Sequence, residues 1–206
     1  LHTIGKPATA EEAIATLVSI ASIEREDDGI RSLPGLLAES KGKSIDEIYE
    51  GNNRGILEDV ELNKLITETS REAVGSMVKS LTGRDGRVNM KKSFWTFIVE
   101  FLRVIGFSIP SPWQSIAKNA GFENVNANSL DKLFEYLRFC LEQICADKEM
   151  DSLLKALDGE YVIPGPGGDP IRNPGVLPSG KNIHALDPQS IPTVAAVASA
   201  KGVVDK

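Results

Sequence analysis

The sequence predicts a mainly α chain: a multi-helix body, then a long ordered Gly/Pro-rich loop, then the start of a further helix. Three observations predict it. Residues 9–158 place apolar side chains at helical spacing behind repeated capping signals. No segment alternates long enough to read as a sheet. Composition then changes abruptly, with six glycines and seven prolines between Gly159 and Pro192. The expected regions are 1–158, helical; 159–192, motif loop; and 193–206, a truncated further helix.

Thr9 to Glu12 reads as a capping box, in which hydroxyl and carboxylate satisfy free amides at a helix start. Ile14, Leu17, Val18 and Ala21 follow at helical spacing. Ser32-Leu33-Pro34 opens a short helix through Glu39, with proline in the first turn. Ser44 to Glu47 repeats the box ahead of Ile48 and Tyr49. The longest helix is expected from about Ile56 to Leu81, with Leu62, Leu65, Ile66, Thr69, Ala73, Met77 and Leu81 as its stripe. Lys91 to Ile105 is apolar around more than half its circumference and is expected to be the most buried element. Ser111-Pro112 starts a short helix ending at Gly121. Ser129 is expected to cap the next, with Leu130, Leu133, Phe134, Leu137, Cys140, Leu141 and Ile144 inward. A last helix, Glu149 to Leu157, stops at Gly159.

With 206 residues, 41% of them hydrophobic, the chain is long enough for a core. The balance of 23 basic and 29 acidic side chains, net −6, argues against a nucleic-acid partner, which needs a basic surface. No apolar run reaches the roughly 20 residues that span a bilayer. Cys140 and Cys145 lie five apart, on roughly opposite helix faces, which disfavours a disulfide or metal pair. Two histidines without a Cys/His cluster leave no structural zinc site. The chain begins at Leu1 without an initiator Met or targeting signal and stops inside a helical pattern, as expected of an internal piece of a larger multidomain protein.

Gly42-Lys43-Ser44 imitates the end of a phosphate-binding loop. Leu37 stands where that motif needs glycine, and no strand precedes it, so Ser44 is better explained as a helix cap. Gly165 to Gly168 is glycine-rich, but Pro166 removes an amide a phosphate would use. In the loop from Gly159 to Pro192, Asp169, Arg172, Asn173, Lys181, Asn182, His184 and Asp187 are interleaved with Ile171, Leu177, Ile183 and Leu186. Long loops of such chemical variety are usually functional. His184 is a candidate base, ligand or anchor. Asp169 before Pro170 is a candidate cation ligand or turn starter. Arg172 and Lys181, two cations beside turn amides, suit carboxylate recognition. His2 precedes another turn-like stretch.

The run from Gly165 to Pro188, GPGGDPIRNPGVLPSGKNIHALDP, with Gln189 to Pro192 after it, closely resembles the large porphyrin-binding H subunits of the magnesium chelatase family. Cobaltochelatase large subunits carry a looser version, GGD…R…LPTG-[RK]-N. Leu1 to Ala10 and Gly55 to Leu62 also look like the H subunits, and the likeness is looser through about 83–147. Asn182 to Asp187 favours the chlorophyll-pathway branch over the cobalt branch.

That resemblance implies a subunit that binds protoporphyrin IX. It implies work with two smaller subunits, an AAA+ motor and a bridging subunit, and with a porphyrin-carrying accessory protein. Mg²⁺ is inserted as a substrate ion, and ATP is hydrolysed by the motor partner. The expected location is the plastid of an alga or plant, stromal or membrane-associated, or the cytoplasm of a cyanobacterium. Mg²⁺ sheds water reluctantly, two pyrrole protons must leave, and a flat macrocycle with two propionates needs an apolar cleft rimmed by cations. In that frame Asp169 and His184 are candidates for metal handling or proton removal, and Arg172 and Lys181 for propionates. Gly167, Gly168 and Asn182 are candidate cleft contacts. No resident metal site is assigned. The competing expectations are a cobaltochelatase, or a helical scaffold with the chemistry carried elsewhere. The isolated stretch is expected to be inactive.

Overall fold

The computed structural model describes residues 10–82, 111–146, 148–178 and 180–184, with 182–184 described as backbone. The box at Thr9, His2, the 91–105 helix and everything from Ala185 onward lie outside these residues. The chain divides into two compact units, Leu1–Cys145 and Ala146–Lys206. The change of composition at Gly159 therefore falls inside the second unit.

In the first unit, α1 (Ala10–Ala21), α2 (Leu33–Ser40), α3 (Ile45–Asn53), α4 (Leu57–Ser80), α5 (Pro112–Asn119) and α6 (Ala127–Cys145) follow in order. Ser32 caps α2 by accepting from the Gly35 amide, with Pro34 in the first turn. Ser44 and Glu47 form the complete capping box of α3: the Ser44 amide donates to Glu47 Oε2 at 2.9 Å. Ser111 and Gln114 do the same for α5. At α6 the cap is Asn126, whose Oδ1 accepts from the Ser129 amide at 3.1 Å, so the helix begins earlier than expected. Asn126 sits where its short amide side chain can reach back to the third helical amide.

The core is built around α4, which packs against α1, α2, α3 and α5. Its buried face is wider than the expected stripe. Ser70, Val74 and Val78 are buried with Ile66, Thr69, Ala73 and Met77, while Leu62 and Leu65 are only half-buried. A helix contacted from several directions buries more than one stripe. On α6, Leu130, Leu133, Phe134, Leu137, Cys140 and Leu141 are buried as expected, Ile144 is half-buried, and neither cysteine is in a disulfide. Trp113 stacks on Phe134 with ring centroids 4.6 Å apart, and its indole N–H donates to Asp131 at 2.9 Å. Lys132 Nζ donates to the carbonyls of Asp28 and Gly29, pinning the loop before α2. Arg31 pairs with Glu24 and Glu39 across the same region.

One close approach decides a prediction. A Cβ on Gly51 of α3 would lie 1.9 Å from Asp59 Oδ2 and 2.5 Å from its Cγ. Asp59 is buried and its other oxygen accepts from Lys43 Nζ at 2.7 Å, so the carboxylate cannot swing aside freely. Helix propensity would favour Gly51→Ala by about 1 kcal/mol. The clash and loss of the ion pair should outweigh that, for a net destabilisation of about 2 kcal/mol. A lowered denaturation midpoint tests this; an unchanged or raised one contradicts it.

Alkaline titration gives a second prediction for this unit. Burial, with the neighbouring Cys140 thiol, pushes the Tyr136 phenol up to about 12. A folded-state value above the unfolded one means stability that is present below the unfolded value and lost as pH rises. The Tyr136 contribution should therefore fade between about pH 10 and pH 12, and Tyr136→Phe should flatten that part of a stability profile.

Candidate functional site

The second unit begins with α7 (Glu149–Leu157), ending at Gly159, whose φ of +78° suits glycine. The Glu160 amide donates back to the Lys155 carbonyl at 2.9 Å. Two short strands follow, β1 (Pro164–Pro166) and β2 (Asn182–His184), paired in parallel with Pro164 opposite Asn182, Gly165 opposite Ile183 and Pro166 opposite His184. The proline-rich stretch, too sparse in apolar residues for an ordinary strand, thus contributes two three-residue strands. The prolines of β1 occupy its first and last positions, where a missing N–H is tolerated.

Residues 167–181 connect the strands through a chain of local hydrogen bonds. Asp169 Oδ1 accepts from the Ile171 amide at 2.9 Å, and its carbonyl accepts from the Asn173 amide. Asn173 Oδ1 accepts in turn from the Gly175 amide at 3.1 Å, opening a 3₁₀ turn over Pro174–Val176. Asp169 and Asn173 therefore act as successive Asx turns, each accepting from the amide just beyond a proline that has no N–H of its own. Pro174, Leu177 and Pro178 are buried within this connection, and the Leu177–Pro178 peptide is cis.

Lys181 fastens this ribbon. Its Nζ donates to the carbonyls of Leu177 at 3.1 Å and Gly175 at 3.3 Å. Its stem lies over Gly165, where an added Cβ would come within 2.5 Å of Lys181 Cδ. Gly180, with φ of +89°, packs against the start of α7: a Cβ there would meet the Lys148 carbonyl oxygen at 2.7 Å and the Glu149 backbone at 2.8 Å. The α7 helix, the 159–162 segment, Gly180 and Lys181 border an open groove of about 580 Å³.

The expected site residues are distributed along this ribbon. Gly167, Gly168 and Asp169 leave β1 at the end where its partner reaches His184, so the parallel register brings these backbones to one edge. Arg172 is 85% exposed, its guanidinium 3.9 Å from Asp169 Oδ2. Lys181 faces ribbon carbonyls, and Asn182 opens β2 opposite Pro164. Among the described residues no three His, Cys, Asp or Glu side chains gather as a metal centre, and no helix is long and apolar enough to cross a membrane. Sequence reasoning does not single out the roles of Asn173 and Gly180. The Asn-Pro-Gly turn signal is available for the first. For the second, only the contact with α7 reveals the need for glycine.

A family model described as CobN/Magnesium Chelatase matches residues 1–206. Over 207 aligned positions the chain is 49% identical to the chloroplastic magnesium-chelatase subunit ChlH of Oryza sativa subsp. indica, an alignment covering 100% of this chain and 14% of that protein. The magnesium-chelatase H subunit of Chlorobaculum parvum is 26% identical over 198 residues, 94% of this chain and 14% of its own. The aerobic cobaltochelatase subunit CobN of Sinorhizobium sp is 47% identical over 49 residues, 23% of this chain and 4% of that one. Where a relative aligns along essentially the whole chain, the chain spans 14% of that relative's length.

Proposed function

The chain belongs to the CobN/magnesium chelatase family, and from that we propose that it forms part of the large porphyrin-binding subunit of a magnesium chelatase. The whole subunit would take part in inserting Mg²⁺ into protoporphyrin IX for chlorophyll synthesis, with ATP hydrolysed by an AAA+ partner joined through a bridging subunit. An accessory porphyrin carrier would deliver the substrate. The chloroplastic relative favours a plastid location. The observation that carries this reading is the 49% match to the plant magnesium-chelatase subunit along the whole chain, against stretches of 49 and 66 residues for two cobalt enzymes.

Within that reading the ribbon from Gly165 to His184 forms part of the porphyrin cleft wall. Gly167 and Gly168 let the macrocycle approach the backbone closely, and Asn182 supplies polar contact at the same wall. Arg172 is the cation best suited to a propionate. It is exposed, and a surface ion pair to Asp169 is worth only about 0–1 kcal/mol, so exchange for a substrate carboxylate costs little. Asp169 and His184 would serve metal handling or remove the pyrrole protons.

Porphyrin fluorescence-quenching titrations on the full subunit test this. Arg172→Ala should weaken binding about fivefold, equivalent to about 1 kcal/mol, and Arg172→Ala with Lys181→Ala should weaken it further. Unchanged titrations would remove the propionate assignment. A second reading is favoured by one observation: the Lys181 ammonium is already engaged by two ribbon carbonyls. On that reading the stretch is a scaffold, and Lys181 supports the wall without touching substrate. Lys181→Ala alone then shifts stability rather than porphyrin affinity.

A further inference from the structure

The α7 helix carries an apolar stripe that stays exposed among the described residues. Met150, Leu153, Leu154 and Leu157 recur at the spacing of one helix face, and Tyr161 and Ile163 follow in the extended segment beyond it. All six are 53–78% exposed, and α7 has no buried residue. A helix of nine residues is marginal in water without tertiary packing. Its stripe, beside the groove bordered by Ser152, Ala156 and Val162, is a surface shaped for another element.

Two observations select the occupant. The relatives that align along the whole chain carry it as only 14% of their length, so in a full-length subunit most potential partners are covalently attached and present at high effective concentration. The charge around the stripe gives the second. Between Lys148 and Ile163, Glu149, Asp151, Asp158 and Glu160 oppose only Lys148 and Lys155. An acidic rim fits an element whose apolar face is flanked by Lys or Arg.

We infer that this face is an internal docking surface of the full-length subunit. It receives an amphipathic helix from elsewhere in the same polypeptide, outside these 206 residues, with basic side chains beside its apolar stripe. The inference depends on the length of the parent chain and not on the porphyrin-site reading.

The test is photocross-linking in the purified full-length subunit, alone and without lipid, with benzoylphenylalanine in place of Leu157 and, as a control, in place of exposed Asp151. The expected result is an intramolecular cross-link from position 157 that persists on dilution and maps to a basic-flanked amphipathic segment outside the 206 residues, with much less from position 151. A cross-link that disappears on dilution and joins two subunits would assign the face to a second copy and overturn the inference. So would an adduct within the 206 residues, or a probe at 157 that reacts only with solvent. Normal porphyrin quenching by the probe-bearing subunit separates this outcome from any failure of the porphyrin-site reading.

Discussion

Replacing Gly180 with Ala is expected to loosen the whole ribbon from Pro164 to His184. Two effects act in the same direction. At φ of +89° an L side chain is strained, at a cost of about 1–3 kcal/mol. The new methyl would also sit 2.7 Å from the Lys148 carbonyl oxygen and 2.8 Å from the Glu149 Cα and N, all backbone atoms that cannot rotate away. Either α7 moves or the ribbon does. Since Lys181, the next residue, fastens the Gly175 and Leu177 carbonyls, displacing Gly180 also threatens those bonds. A combined cost of about 2–4 kcal/mol is expected. Limited proteolysis of the full-length variant should show new cleavage between residues 160 and 184, with porphyrin affinity reduced in parallel. Wild-type resistance would mean that Gly180 is not under the constraint its contacts describe. Gly159→Ala is the control: its φ is also positive, but an added Cβ meets nothing within 4 Å, so only the conformational strain applies.

The second large effect is on turnover. His184→Ala in the full-length subunit should lower chelation by about 100-fold at saturating porphyrin and Mg²⁺ if His184 removes a pyrrole proton, since a positioned base contributes typically 10²–10⁴. The backbone register supports placing it near the glycine edge, with His184 opposite Pro166 and adjacent to the exit of Gly167. Asp169→Asn asks a different question. Its Oδ1 accepts from the Ile171 amide, a bond the amide oxygen of Asn can keep, so the turn should survive while the carboxylate charge is lost. A fall in turnover with unchanged porphyrin binding would indicate metal or proton handling. Near-normal turnover in both variants would leave the ribbon as scaffold and remove the catalytic assignments.

Local capping chemistry explains why so many helix starts are legible in the sequence. Ser32, Ser44 and Ser111 each announce a helix through a side chain that satisfies the next free amides, and each does so. The start of α6 is harder to place, because Asn126 and Ser129 are both good caps and only the three-dimensional path chooses between them. The width of the α4 face is hidden for a different reason. Periodicity identifies a stripe, but the number of neighbours around a central helix is a tertiary property. In the ribbon, glycines, prolines and polar residues mark an unusual segment, yet a parallel pairing between residues 18 positions apart leaves no local signal. Lys181 shows the limit for the candidate site. Its residue type suggests a propionate partner, whereas its contacts also equip it to hold the ribbon in shape.

The central claim is that the ribbon keeps one conformation because it forms a wall for a tetrapyrrole. Amide hydrogen exchange across residues 164–184 of the full-length subunit, with and without protoporphyrin IX, tests it most directly. Slow exchange in the free protein, slowed further on porphyrin addition at Gly167, Gly168 and the β2 amides, is the predicted result. Fast exchange throughout, unchanged by porphyrin, would contradict it.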